Sequence, residues 1–263
     1  RGINRANQVI ANANKVKLVS TDYGKYTNVR EILGQAKFLR AMFYFNLVKT
    51  YGGVPIRPET EDINNLVIPR STKEEVYAYI EKDLREAAIM LSPKYTDDDL
   101  GKAGRGSVVG LLMKVLMYQA TPGVQSEKWE ELVELGDYFV TGKALTLGDI
   151  LQFEEKYDED WESLRKRLWF KPAAISAETD PVETPSSPLG DIANQYNVEY
   201  IGIYGDALNY WEIFTQKGEF YRGSVFEVMF RESADGTGGD QNEGTGIFQD
   251  LYSTRLWISP TFF

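Results

Sequence analysis

The segment from Gly34 to Pro55, GQAKFLRAMFYFNLVKTYGGVP, decides the fold of this chain. Its apolar and aromatic side chains fall on nearly every side of a helix with 3.6 residues per turn. Such a helix is buried among other helices or in a membrane, and no run here approaches the ~20 uninterrupted apolar residues that a membrane span needs. Gly52 and Gly53 then supply a left-handed stop, and Pro55 prevents the helix from resuming. We therefore predict a central, packed helix with a sharp exit.

Two further expectations concern the side chains of this helix, which we place from about Asn28 to Tyr51. Its aromatic residues, from Phe38 to Tyr51, are predicted to belong to the core. Arg40 interrupts the apolar pattern, and we predict that it is a paired structural residue rather than a binding residue.

The same residues carry a resemblance to a known family. AKFLRAMFYFNLVKTYGGVP resembles the signature segment of the SusD/RagB family, in which an alanine-x-phenylalanine-leucine-arginine-alanine run leads through aromatics into tyrosine-glycine-glycine-valine-proline. SusD-like proteins are surface glycan-binding lipoproteins of Bacteroidetes-type outer membranes that work beside a TonB-dependent, SusC-like transporter. The resemblance implies non-catalytic glycan capture for nutrient uptake, without a cofactor. It also implies a chain that extends beyond both ends of this sequence, with a lipid-bearing cysteine upstream of Arg1.

Composition limits the chemistry that the chain can perform. The 263 residues are 43% hydrophobic, which is enough for a core in one or two domains, and the net charge of −10 makes nucleic acid an unfavourable partner. The sequence has neither His nor Cys. It therefore excludes disulfides, thiolate catalysis, Ser-His catalysis and metal sites built on His or Cys for the residues shown.

Other helices follow from spacing and from start and stop residues. An amphipathic helix is predicted over Arg1 to Lys17. Ser71 and Glu74 form a predicted capping box for a helix that ends at Ser92-Pro93. Further helical patterns run through Val108 to Ala120, from about Ser126 to Gly142, and over Ile150 to Lys171, and a short strand is predicted within Gly223 to Phe230.

These elements give a mainly α fold, and the resemblance makes it a tetratricopeptide-like helical scaffold of SusD type with loop-rich additions and minor β. We expect residues 1–141 to form the scaffold. Residues 142–263 would form a loop-rich, aromatic-rich region packed on it, with an insertion at about 148–206, in one structural domain that is incomplete at both ends.

Glycan binding requires flat aromatic faces for sugar rings and planar polar groups for their hydroxyls. The segment after Phe230 carries this mixture, and in SusD-like proteins loops at this place contribute to the ligand surface. The predicted ligand-binding residues are Arg231, Asp240, Asn242, Tyr252, Arg255 and Trp257. Weaker candidates lie in the insertion: Trp161, Trp169, Tyr196, Tyr200 and Tyr204.

Other functions receive less support from the sequence. Asp97-Asp98-Asp99 is read as a solvated loop, and the run from Asp240 to Gly244 lacks the third ligand and the terminal Glu of a calcium loop, so no metal is predicted. The run Gly101 to Ser107 is not a phosphate-binding loop, because no strand precedes it. A carbohydrate-active hydrolase and a tetratricopeptide-like peptide-binding scaffold remain as alternative functions.

Overall fold

A computed structural model describes residues 1–13, 15–16, 23–57, 67–95, 99, 101–120, 126–172, 182–190 and 192–193, with the backbone of two short strands at 226–227 and 257–258. Eight helices occur in this described part: α1 (Gly2–Ala13), α2 (Tyr23–Tyr51), α3 (Lys73–Met90), α4 (Arg105–Gln119), α5 (Glu127–Val140), α6 (Leu147–Leu151), α7 (Phe153–Lys156) and α8 (Trp161–Arg167). The strands β1 (Phe226–Glu227) and β2 (Trp257–Ile258) pair antiparallel. The mainly helical fold expected from the sequence is confirmed.

Helices α2 and α3 lie antiparallel to each other. The Ser92 hydroxyl, just after α3, donates to the Glu31 carboxylate in the early part of α2 at 2.9 Å. At the other end, the amide of Ser71 donates to the carbonyl of Val54 at 3.3 Å, just before α3 begins. Successive helices from α1 to α5 contact one another. The core is therefore assembled from neighbouring helices, as in a tetratricopeptide-like scaffold.

The long helix α2 is the centre of the core, as the sequence predicts, but it begins at Tyr23 rather than near Asn28. Phe38, Tyr44 and Phe45 are at most 2% exposed. Tyr51 differs from the prediction, because it is 63% exposed at the last position of the helix. Its ring is therefore not part of the core.

Buried charges join α2 to α3. The Arg40 guanidinium donates to both oxygens of Asp83, from Nε at 2.7 Å and from Nη2 at 2.8 Å, and both side chains are nearly inaccessible to water. Arg40 also donates to Asn7 of α1 at 2.9 Å. Lys37 lies 3.3 Å from Asp83 and 2.9 Å from Glu86. The prediction that Arg40 is a paired structural residue is confirmed, and the pairing connects three helices.

The ion network continues to the last helix. Arg167 of α8 donates to Glu86 at 2.9 Å and to Glu159 at 2.6 Å. Burial alone would raise the pKa of Glu86, but the positive charges of Lys37 and Arg167 and their hydrogen bonds hold this pKa below its ordinary value. Glu86 is therefore an ionised carboxylate shared by α2, α3 and α8.

The start of α3 differs from the prediction by one residue. Thr72, not Ser71, is the N-cap: its hydroxyl accepts from the Glu75 amide at 3.1 Å, and the Glu75 carboxylate accepts from the Thr72 amide at 2.8 Å. Two overlapping sequences satisfy the capping pattern, since Ser71 precedes Glu74 by three residues and Thr72 precedes Glu75 by three. The backbone bond from Ser71 to Val54 holds Ser71 outside the helix and decides between them.

The helical pattern predicted over Ile150 to Lys171 is divided into α6, α7 and α8. Gln152 has a φ of 49°, a left-handed conformation that ends α6. After α7 the chain is extended at Tyr157, and Asp160 restarts a helix by accepting from the Ser163 amide at 3.0 Å. The left-handed residue Gln152 and the Asp160 cap therefore divide a stretch whose apolar spacing predicts one helical pattern.

Side chains beyond residue 141 enter the same hydrophobic cluster as those of α1 to α5, among them Leu147, Ile150 and Leu164. Residues 187–190 return to this cluster by backbone pairing, because the Leu189 amide donates to the Leu145 carbonyl at 2.9 Å. Arg105 reinforces the return by donating to the carbonyls of Ala88, Leu91 and Leu189. The division of the chain at residue 141 and the bounds of the insertion stay predictions.

Replacing Asp83 by alanine removes the carboxylate of a buried pair, so we expect the free energy of unfolding to fall by about 3–5 kcal/mol. Asp99→Ala is the matched control, because Asp99 pairs with Lys102 at 2.6 Å while both side chains are about half exposed; it should cost less than about 1 kcal/mol. Urea unfolding followed by circular dichroism measures both. Equal midpoints for the two variants would contradict a stabilising role for the buried pair.

The lowered pKa of Glu86 predicts a specific pH dependence. Its charge stabilises the fold above the ordinary glutamate pKa of about 4.3, and this contribution is lost as the pH falls through the lower pKa of the folded state. Glu86→Gln should therefore destabilise the protein most at neutral pH, with a difference from wild type that shrinks on acidification below about pH 4. Urea titrations at several pH values test this. Glu134→Gln, at an exposed position, should show a small difference at every pH.

Gly53 is required by the close approach of two backbone segments. A Cβ at this position would overlap the carbonyl oxygen of Ser71, which is backbone and cannot rotate away. Gly53→Ala should thus destabilise the protein by about 1–3 kcal/mol. Gly136→Ala in α5 is the control, and it should change the stability in the opposite direction. Its Cβ would meet only Met113 at 3.6 Å, and alanine should stabilise the helix by about 0.5–1 kcal/mol. Melting temperatures compare them, and a neutral Gly53→Ala would disprove the close approach.

Candidate functional site

The ligand-binding residues predicted from sequence fall mostly outside the described residues. This applies to Arg231, Asp240, Asn242, Tyr252 and Arg255. Trp257 lies in β2, where its backbone is opposite Glu227 of β1, and its side chain is outside the described part. The six residues stay a prediction.

Trp161, a weaker candidate, is used for packing. Its ring centroid lies 5.6 Å from that of Phe153 and 6.1 Å from that of Phe170. Its indole N–H donates to the carbonyl of Glu183 at 3.2 Å. The neighbouring rings and this hydrogen bond fix Trp161 in place, as expected of a residue that packs later parts of the chain together.

Trp169, the other candidate with a described side chain, lies beside a groove of about 400 Å³. We call it the Trp169 groove, and it is lined by Glu162, Arg165, Lys166, Trp169, Phe170 and Lys171. Trp169 is half-buried, while Lys166 is exposed. The groove thus combines an indole ring with charged groups at its rim.

The end of α8 explains why the indole is at this position. The Phe170 amide donates to the Arg165 carbonyl at 3.1 Å and the Trp169 amide to the Lys166 carbonyl at 3.3 Å, which is the bonding of a Schellman motif. Trp169 occupies the left-handed position of this motif, with a φ of 59°. Glycine is usual there, and a side chain costs roughly 1–2 kcal/mol. Trp169 therefore adopts a left-handed backbone conformation that glycine would adopt without a steric cost.

Arg165 contributes a nearly inaccessible guanidinium to the groove, at 3% exposure. It donates to Glu162 at 3.1 Å and to the Lys171 carbonyl at 2.7 Å. Its Nε is buried and makes no hydrogen bond within the part of the chain that the structure describes. Since a guanidinium has five N–H donors, Arg165 retains capacity for another acceptor.

A second arginine lies behind the groove. The Arg30 guanidinium is 5.1 Å from the ring centroid of Phe170, and it lies 3.6 Å from the Glu183 carboxylate. Burial lowers the pKa of Arg30, and the Glu183 charge partly offsets this effect. Glu183 also lies 3.9 Å from Arg165. This carboxylate compensates the arginines from behind, and it does not line the groove.

A separate groove of about 520 Å³ lies between α1 and α2 and is lined largely by apolar side chains, among them Val9, Val29 and Ile32. Val16 lines both this groove and the Trp169 groove, so the two adjoin. The α1–α2 groove has planar polar side chains, those of Arg5, Gln8 and Asn12, but its described lining contains no aromatic ring. It therefore lacks the mixture that sugar recognition requires.

Metal and membrane sites receive no support from the described residues. No group of three or more acidic side chains that could hold a metal ion occurs among them. Among the described helices, none is long and apolar enough to cross a membrane. The run Gly101 to Ser107 leads into α4, and the described element before it is the helix α3, whereas a phosphate-binding loop follows a strand.

Glu81 and Glu86 have the wrong electrostatics for glycoside hydrolysis, which needs a general acid with a raised pKa. Burial alone would raise the pKa of Glu81 and of Glu86, but neighbouring cations lower both values, Lys128 chiefly for Glu81. Neither residue lines either groove. These carboxylates serve the ion network of the core.

Sequence reasoning identified Trp169 but missed its charged neighbours. The available signal was the run Arg165-Lys166-Arg167 at the end of a short helix that begins at an Asp160 cap. The exposed residues of this run, such as Lys166, indicate a basic rim beside Trp169. Lys171, three residues beyond Leu168, completes the rim only because the Schellman motif turns the chain back.

Comparison with known proteins gives a family for the first part of the chain. Residues 1–117 match the model of a SusD-like family described as starch-binding associating with outer membrane. SusD-like protein P25 of Formosa agariphila is 21% identical over 131 residues, which are 49% of this chain and 24% of that protein. This chain thus spans about a quarter of the length of that relative.

Solved structures to which this chain shows similarity include a SusD-like protein from Bacteroides fragilis, at 28% identity and a TM-score of 0.43, covering 51% of this chain and 24% of that one. Another is a laminarin binding SusD-like protein, at 27% identity and a TM-score of 0.40, covering 55% of this chain and 36% of that one.

The family match extends from α1 to most of α4, so it contains the segment Gly34 to Pro55 that carried the resemblance in the sequence. The resemblance predicted from that segment is confirmed, because residues 1–117 match the SusD-like family model.

Proposed function

We propose that this chain is part of a protein that binds oligosaccharides or polysaccharides at the bacterial outer surface without changing them chemically. The observation that carries the proposal is the match of residues 1–117 to a family described as starch-binding and associated with the outer membrane. The helical scaffold supports it, because a core fixed by buried ion pairs is suited to hold binding loops in place.

Binding without turnover agrees with the side chains available. The sequence lacks His and Cys, so acid–base chemistry falls to carboxylates, Lys and Tyr. The lowered pKa values of Glu81 and Glu86 keep these two carboxylates ionised, whereas a glycosidase acid has to carry a proton near neutral pH. A hydrolase is the alternative that the experiment below excludes or supports.

The ligand surface of the proposed protein includes the residues predicted after Phe230, which are Arg231, Asp240, Asn242, Tyr252, Arg255 and Trp257. Trp257 would supply a face for a sugar ring, and the arginines, Asp240 and Asn242 would supply forked donors and acceptors for hydroxyl groups.

The proposal includes delivery of the bound glycan to a TonB-dependent, SusC-like transporter of the outer membrane, for nutrient uptake. The protein would be surface-exposed and held by a lipid anchor. The outer-membrane association in the family description supports this location. Co-purification of such a transporter with the tagged protein from solubilised outer membranes of the native cells tests the partnership.

One incubation distinguishes binding from hydrolysis. The protein is titrated with plant, host and microbial glycans while tryptophan fluorescence and released reducing sugar are followed together. We expect saturable quenching by at least one glycan with no release of reducing sugar. Trp257→Ala should weaken that binding about tenfold through loss of a stacking face.

The control is Trp161→Phe, since Trp161 packs against Phe153 and Phe170 in the described structure. It should alter the fluorescence signal and leave the dissociation constant unchanged. Release of reducing sugar would overturn the binding function in favour of a hydrolase. Flat signals with every glycan would overturn the ligand class.

A further inference from the structure

The charges around the Trp169 groove are opposite in sign to the charge of the protein. The chain carries a net charge of −10. Among the lining residues that the structure describes, Arg165, Lys166 and Lys171 are cationic and Glu162 is a carboxylate. A local excess of positive charge in an acidic protein attracts anions to one place and disfavours them elsewhere.

The donor geometry favours an oxyanion over a neutral acceptor. Arg165 satisfies part of its guanidinium with Glu162 and the Lys171 carbonyl, while its buried Nε has no acceptor within the described residues. Carboxylate and sulfate oxygens match the forked N–H groups of arginine and are stronger acceptors than hydroxyl oxygens. A buried donor without an acceptor carries an uncompensated desolvation penalty. An anionic ligand that accepts a hydrogen bond from this edge of the Arg165 guanidinium would reduce that penalty.

The indole ring of Trp169 makes the second contribution to recognition of a ligand in this groove. Trp169 keeps a left-handed backbone that glycine would adopt freely, and its half-buried ring packs partly against the hydrophobic cluster while lining the groove. Its ring lines the same groove as the cations. An aromatic face beside an oxyanion site is complementary to a sugar ring that carries a negative group.

We infer that the Trp169 groove is a subsite for an anionic saccharide unit, which stacks on Trp169 and places its carboxylate or sulfate group against Arg165, Lys166 and Lys171. The inference rests on the proposed glycan-binding function and names the chemistry of the ligand for one groove. It concerns residues separate from those predicted after Phe230.

Calorimetric titration of the full chain at low salt tests the assignment with three probes of similar length: an oligogalacturonide, a sulfated galactan oligosaccharide and an uncharged galactan oligosaccharide. We expect one of the two anionic probes to bind more tightly than the uncharged one, and this affinity to fall as NaCl is added. Comparison of the oligogalacturonide with the sulfated probe shows whether the groove binds a carboxylate or a sulfate group.

Lys166→Gln should weaken binding of the anionic probe about two- to fivefold at low salt and reduce its salt dependence. Lys156→Gln is the matched control, because Lys156 is an exposed lysine in the last turn of another short helix, α7, outside the groove. It makes the same charge change and should leave the affinity unaltered.

Trp169→Gly separates recognition from folding. Glycine relieves the left-handed backbone and so offsets part of the packing lost with the ring; the variant should still unfold cooperatively while its affinity for the anionic probe falls about tenfold. Unchanged affinity in both Trp169→Gly and Lys166→Gln would overturn the subsite. Preference for the uncharged probe would also overturn it and leave glycan capture standing, whereas failure of every saccharide to bind would overturn both.

Discussion

The two-pronged contact between Arg40 and Asp83 is the constraint on which the rest of the structure depends. It lies between the two longest helices, where almost no water reaches either side chain. An apolar interface tolerates small shifts of one helix along another, but a buried pair with two hydrogen bonds of 2.7 and 2.8 Å does not. Sliding α3 by a single turn would leave a guanidinium and a carboxylate buried and separated. The register of α2 on α3 is fixed for that reason.

The same constraint extends to the Trp169 groove. Glu86 lies one turn beyond Asp83 on α3, and Arg167 at the end of α8 donates to it. Trp169 follows Arg167 by two residues. The position of the indole therefore depends on the central helix pair, through the Arg167–Glu86 ion pair and the end of α8. A binding surface built in this way has its aromatic face fixed by the core, although it lies on a short, partly exposed helix.

The sequence was sufficient where long-range periodicity or strong stop residues decide the outcome. The buried helix, its exit at Gly52 and the paired role of Arg40 followed from such features. It was insufficient where near-equal local choices compete, as for Ser71 and Thr72, because a backbone contact with Val54 selects the cap. Tyr51 was misplaced because it is the last residue of its helix, where apolar periodicity alone does not determine burial. The Trp169 groove needs a turn of the chain that brings Lys171 beside Arg165, which no helical periodicity encodes.

The pairing of residues 145–146 with residues 188–189 has an evolutionary consequence. The Leu189 amide bonds to Leu145, and Arg105 holds the Leu189 carbonyl against the end of α3, so the chain is anchored to the core after it leaves α8. For a flexible loop, such as one that could join the end of α8 to Leu189, each doubling of length costs only about 0.6 kcal/mol. Insertions and deletions there would be nearly neutral for the scaffold. Related chains could therefore diversify the surface beside Trp169 while the helices beneath it stay the same.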